Sequence, residues 1–160
     1  MGELTSQFLK KIQDVREAEE IEDWIWKAGD LIRRANSSGY HSGFEEIDSE
    51  CVSEAEKNAL QEAVLKALAR TTNPSWDQSF LSVLRCAGDV DMKSLWIEYL
   101  ARYLTLLKQS NGIVFTALLA LKELDEPIFE GAKSLAAIDV ERNVNEANEY
   151  LRRHNILIPG

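Results

Sequence analysis

Acid–base and nucleophilic chemistry at neutral pH draws mainly on histidines, cysteines and paired carboxylates, and this chain holds few of the first two. Its two histidines stand apart, His41 among glycines and His154 near the end of a helical pattern. A cation at a helix C-terminus complements the backbone dipole, which gives His154 a plainer role than catalysis. The nucleophile and metal signatures G-x-S-x-G, H-E-x-x-H and G-x-x-x-x-G-K-[ST] are absent. Glu17 with Glu20, and Glu19 with Asp23, share a helix face at spacings of three and four. A di-metal carboxylate bundle also needs a histidine three residues after a glutamate, and no glutamate here has one. Asp89-Val90-Asp91 resembles the start of a calcium loop, but no liganding pattern with a closing glutamate follows. Cys51 and Cys86 are isolated and suit small buried apolar groups in a reducing compartment. No catalytic residue, no metal ligand and no cofactor is therefore expected.

Binding chemistry is better represented. Trp24 and Trp26 lie two positions apart, so they cannot share a helix face. Trp24 falls on the apolar stripe, which leaves Trp26 pointing elsewhere beside Lys27, exposed or covered by a second helix. Exposed tryptophan is enriched at interface hot spots. Further on, Tyr40, Phe44, Glu45, Glu46, Asp48 and Glu50 place aromatics, glycines and four acids within one stretch of eleven residues. Long loops inside a compact domain usually serve a function or are simply solvated. Aromatic anchors within an acidic rim suit the docking of a basic protein surface. The candidate partner-binding residues are thus Trp26, Tyr40, Phe44, Glu45, Glu46, Asp48 and Glu50.

The elements that must carry these residues are helical, because apolar positions recur at offsets of three and four almost throughout. Leu4, Phe8, Ile12 and Val15 form a first stripe, and Ile21, Trp24, Ile25, Ala28, Leu31, Ile32 and Ala35 a second. Residues 37–51 break the period as a loop. Ser53 and Glu56 form a capping box ahead of Leu60, Ala63, Val64, Ala67 and Leu68. Trp76, Phe80, Val83, Leu84 and Ala87 follow, with Gly88 as a stop. Asp91 is expected to cap the longest helix, running through Leu100 to Leu107 and ending at Asn111-Gly112. Ile113 to Leu124 reads as a helix buried on most sides, and Pro127 as the start of a short one. Asp139 caps a last helix closed by Asn155, after which the apolar tail 156–160 should fold back on the body. The expected fold is all-α: one domain over residues 1–160, about eight helices stacked as antiparallel hairpins in a HEAT-like or irregular array.

Charge narrows the partners. With 18 basic and 27 acidic residues the formal charge is −9, which disfavours nucleic acid and anionic membranes and favours basic proteins. Residues 1–57 hold 14 acids and 7 bases, a net of −7, so the amino-terminal third should draw such a partner. The start lacks a signal-peptide layout and no window is apolar enough to span a membrane, from which a cytoplasmic setting is expected.

The stretches Ile113-Val114-Phe115-Thr116-Ala117-Leu118-Leu119-Ala120-Leu121-Lys122-Glu123-Leu124-Asp125 and Asp139-Val140-Glu141-Arg142-Asn143-Val144-Asn145-Glu146-Ala147-Asn148-Glu149-Tyr150-Leu151 resemble HEAT-like hairpins. The second, with its Asn-x-x-x-Ala-x-x-Tyr-Leu face, resembles the closing helix of small all-α bacterial toxin-immunity proteins. The resemblance covers about half the chain. It implies an immunity protein that binds a cognate toxin, of which basic nucleases are common examples, and it carries over no site residues. The competing expectations are an adaptor that holds a peptide or helix between hairpins, and an enzyme with a pocket around His41 or His154.

Overall fold

A computed structural model describes residues 2–13, 18–37, 39–71, 73–105 and 107–156. Among these the chain forms eight α-helices, one 3-10 turn and no strand. The helices gather into two compact units, Met1–Ala87 and Gly88–Gly160. The expectations for Val15, for the side chains of the Glu17–Glu20 and Glu19–Asp23 pairs and for the folding back of 157–160 fall outside what is described.

The first unit holds α1 (Glu3–Ile12), α2 (Ala18–Asn36), α3 (Glu45–Asp48), α4 (Glu54–Arg70) and α5 (Pro74–Ala87). Their stripes meet as the spacing predicts: Phe8, Ile12, Leu31, Ile32, Leu60, Val64, Phe80 and Leu84 are all buried. α2 packs along α5 and also touches α1, α3 and α4. Pro74 opens α5, where its missing N–H costs nothing and its fixed φ is already helical. Gly88 follows at φ +62°, a left-handed stop that glycine adopts without strain.

The second unit holds the 3-10 turn Val90–Met92, α6 (Lys93–Tyr103), α7 (Leu107–Glu123) and α8 (Val140–Arg153). α7 packs against both α6 and α8. It buries Ile113, Val114, Ala117, Leu118 and Leu121. Asp139 caps α8 by accepting the Arg142 N–H at 3.3 Å, and Asn155 closes it at φ +56°.

Several boundaries differ from the sequence reading. Asp89, not Asp91, supplies the cap, accepting the Asp91 N–H at 2.9 Å and starting the 3-10 turn that precedes α6. α6 is not the longest helix. It ends at Tyr103, whose carbonyl accepts the buried Ser110 hydroxyl at 2.6 Å. Asn111-Gly112 lies inside α7 because Asn111 has a partner elsewhere, its amide donating to the Ala137 carbonyl. No helix follows Pro127: residues 124–139 run through turns, with Ile128 and Phe129 buried as anchors. A four-residue helix, α3, appears instead in the expected loop, around fully buried Ile47. Cys51 is exposed and Cys86 half-buried, so neither is the buried group expected: one lies on the loop's exposed exit, the other faces a groove beside Gly29.

Candidate functional site

Trp26 projects from α2 away from the Ile25, Ala28 and Ile32 stripe, as its offset from Trp24 requires, and of the two expected outcomes it is the exposed one, at 41%. Phe44, at the entry of α3, is 50% exposed and lies against it, ring centroids 4.7 Å apart at 47°. Tilted aromatic pairs at such distances are mutually attractive. The sequence marked both residues, but not that they meet.

What holds Phe44 there is a set of hydrogen bonds between α2 and the loop. Arg34 donates to the Tyr40 carbonyl at 2.7 Å and to the Glu50 carbonyl at 3.1 Å and 3.3 Å, closing both ends of the loop with one guanidinium. The Tyr40 hydroxyl donates to Asp30 at 2.6 Å and accepts from Arg33 at 3.3 Å. The bond to Asp30 raises the Tyr40 pKa, and the bond to Tyr40 raises that of Arg33. Tyr40 is therefore a strut between two α2 side chains, not an exposed anchor.

The four loop acids have separate fates. Asp48 accepts the Ser42 N–H at 2.7 Å, the Ser42 hydroxyl at 2.8 Å and the Gly43 N–H at 3.3 Å. These amides, Ser42 first, hold its carboxyl below the usual carboxylate range. Gly43 turns at φ +87°, which lets the chain fold back over Asp48. Glu50 accepts the Leu4 N–H at 3.1 Å, capping the open end of α1. Nearby, Glu56 accepts the Gly2 N–H at 3.0 Å, which lowers its pKa, while Ser53 caps α4 through the Glu56 N–H at 3.1 Å. The expected capping box is thus present and extended: one Glu56 oxygen accepts from Ser53 at 3.2 Å while the other reaches across to Gly2 at the start of α1. Glu46 pairs with Lys27 at 3.1 Å. Glu45 is exposed and has no side-chain partner among the described residues. The expected acidic rim is accordingly narrower, consisting of Glu45 and the half-exposed Glu46.

Lys27 is the member that the sequence reading left out. Its ammonium lies 4.3 Å from the Trp24 ring centroid and 5.6 Å from that of Trp26. A cation over an indole face is attracted by the ring quadrupole. Alongside runs an open groove of about 520 Å3 between α2 and α5, lined by Trp26, Gly29, Arg33, Ser79, Ser82 and Cys86 among others. The serine hydroxyls there donate to carbonyls four residues back on α5, so its wall presents small, internally satisfied groups. A second groove, about 610 Å3, runs between α1 and α4 with Leu9, Ile12, Ala59, Ala63 and Ala69 in its lining.

No family model, curated protein or solved structure matches this chain. His41 is exposed, and His154 lies with its ring 4.4 Å from that of Tyr150. The Tyr150 hydroxyl donates to Glu126 at 3.1 Å, and Glu126 also pairs with Lys93. Lys93 holds the Glu126 carboxyl below its ordinary range, while burial and Glu126 push the Tyr150 hydroxyl up. This set ties the end of α7 to α6 and α8. Among the described residues no three of His, Cys, Asp and Glu converge as metal ligands, and no helix is long and apolar enough to cross a membrane.

Proposed function

We propose that this chain is a protein-binding domain that neutralises a basic bacterial toxin, docking it on the Trp26–Phe44 pair. The observation that carries the reading is that pair: two large aromatics, each about half exposed, locked against one another on the acid-rich unit. Rigid aromatics lose little entropy on binding and dominate hot spots. The formal charge of −9 adds attraction for a basic partner, with Glu45 and Glu46 at the patch itself. A cytoplasmic setting, where an immunity protein would meet an incoming toxin, belongs to the same proposal.

The test is association with the product of a toxin gene encoded immediately upstream, measured by titration calorimetry. Nanomolar binding is expected, and Trp26→Ala with Phe44→Ala should weaken it by at least about 30-fold, the cost of removing a hot spot of roughly 2 kcal/mol. Absence of such a gene, or of nanomolar binding, refutes the immunity role. Unchanged binding in the double variant removes the patch from the interface.

The apolar lining of the α1–α4 groove favours a second reading, an adaptor that holds a peptide or helix there. Ala63→Arg would block that groove. Loss of partner binding through Ala63→Arg, with the aromatic double variant unaffected, would select the adaptor.

A further inference from the structure

Resting on the reading of Trp26 and Phe44 as a docking patch, we propose that the corner formed by Trp26 and Glu46 receives an arginine side chain presented by the partner, and that Lys27 holds this place in the free protein. Lys27 already makes the contacts such a ligand would make, with its ammonium 3.1 Å from Glu46 and 5.6 Å from the Trp26 ring centroid. The corner is therefore built to bind a cation, because the chain supplies one of its own. Access is asymmetric: the Lys27 side chain is 18% exposed, against 53% for Glu46 and 41% for Trp26. The two receptor groups face solvent while the lysine reaches them along α2. Exposed Glu45, next to Glu46 in α3, adds negative charge on the approach.

Arginine fits better than a second lysine. Its planar guanidinium is weakly hydrated, stacks on an indole face and pairs with a carboxylate through two N–H groups, whereas an ammonium is a strongly hydrated point charge. On arrival the guanidinium stacks on Trp26 and takes over Glu46. Lys27 keeps its closer contact with Trp24, 4.3 Å from that ring centroid, and so has somewhere to remain. Lys27 thereby acts as an internal competitor that lowers affinity for isolated cations.

The test uses the full chain and acetyl-tetra-arginine amide, with the neutral isostere acetyl-tetra-citrulline amide as control, followed by the Trp26 indole N–H in proton–nitrogen correlation spectra assigned through Trp26→Phe. Tetra-arginine should shift the Trp26 indole and the amides of residues 43–46 saturably, and tetra-citrulline should not. Lys27→Met, which keeps the stem and removes the charge, should tighten binding roughly fivefold, the combined worth of an exposed cation–π contact and a surface ion pair. The matched charge change Lys66→Met on α4 should move affinity less than twofold, and Glu46→Gln should weaken it. A silent Trp26 indole, shifts spread evenly over the acidic surface, or equal effects of the two lysine variants overturn the proposal. If Lys27→Met disturbs the spectrum of α3, Glu46→Gln decides alone, and unchanged affinity there overturns it. A toxin that binds through Phe44 while the Trp26 indole ignores tetra-arginine would leave the docking role standing and remove only this inference.

Discussion

Arg34 is the residue on which the geometry of the patch depends, and replacing it gives the most direct test of the site. Its guanidinium closes both ends of the loop, through the Tyr40 carbonyl at one and the Glu50 carbonyl at the other. Arg34→Met keeps much of the stem but removes the donors to both carbonyls. A hydrogen bond to a charged group contributes about 1.5–3 kcal/mol where solvent cannot replace it. Here the loop is only partly buried, so water recovers a share, and roughly 1 kcal/mol per carbonyl is a reasonable discount. The expected loss is on the order of 2 kcal/mol, or roughly 4–8 °C in melting temperature for a chain of this size. That is well within the 5–15 kcal/mol of an ordinary domain, so the protein stays folded. Arg34→Lys should recover less than half, because one ammonium cannot span two carbonyls as a planar fork does. Urea denaturation supplies the free energy. Amide hydrogen exchange supplies the location, with protection falling across residues 40–50 by local opening, while α5 amides that exchange only on global unfolding lose no more than the free energy read in urea. A cost below about 0.5 kcal/mol, with exchange in the loop unaltered, would refute the account of how Phe44 is held.

Other outcomes follow from the same structure. Asp48 has a depressed pKa in the fold, so its contribution is complete above the ordinary aspartate value of about 4 and lost as pH falls through the lower folded value. Loop protection should therefore weaken on acidification below about pH 4, and Asp48→Asn should weaken it at neutral pH and flatten that dependence. Tyr150 is raised, so its hydrogen bond is complete below the ordinary tyrosine value of about 10 and lost only at higher pH. Absorbance titration should show Tyr150 still silent past that point, later than Tyr40, which is also raised, and Tyr150→Phe should remove the last group to titrate at a cost of about 1 kcal/mol. Leu100 is fully buried in α6, and Leu100→Ala should cost about 2–5 kcal/mol in urea through the cavity it leaves. A variant as stable as the parent would contradict that packing.

What could be read beforehand followed the range of the interactions. The stripes of α1, α2, α4, α5 and α8 were legible because burial repeats every three or four residues, and Pro74, Gly88, Asp139 and Asn155 act on their own neighbours. Asn111-Gly112 misled because a helix stop is a local inference, whereas the Asn111 amide is committed to Ala137, and buried Asn143 donates to both at 3.3 Å. The four residues of α3 are too few for a period, and a single buried Ile47 among acids leaves no stripe. The site divides in the same way. The direction of Trp26 followed from its offset to Trp24, but whether a second helix would cover it did not. The pairing with Phe44, and the commitment of Asp48 and Glu50 to backbone amides, depend on a chain reversal that no spacing encodes. Lys27 was passed over because a lone lysine beside a tryptophan carries no pattern until the rings and Glu46 are placed around it.

The capping of α1 by Glu50 and Glu56 has a mechanical consequence. Those two carboxylates take up the amides of Leu4 and Gly2, so the first turn of the chain is buckled to both flanks of the Cys51–Ser53 segment. A methyl group at position 2 would sit 1.9 Å from the Glu50 carboxylate and push it aside. Glu50 is also the residue whose carbonyl Arg34 grips. The carboxylate is the far end of a flexible side chain and can swing clear, so a change as small as Gly2→Ala would release the Leu4 amide and loosen the first turn of α1 while leaving the carbonyl that Arg34 grips in place.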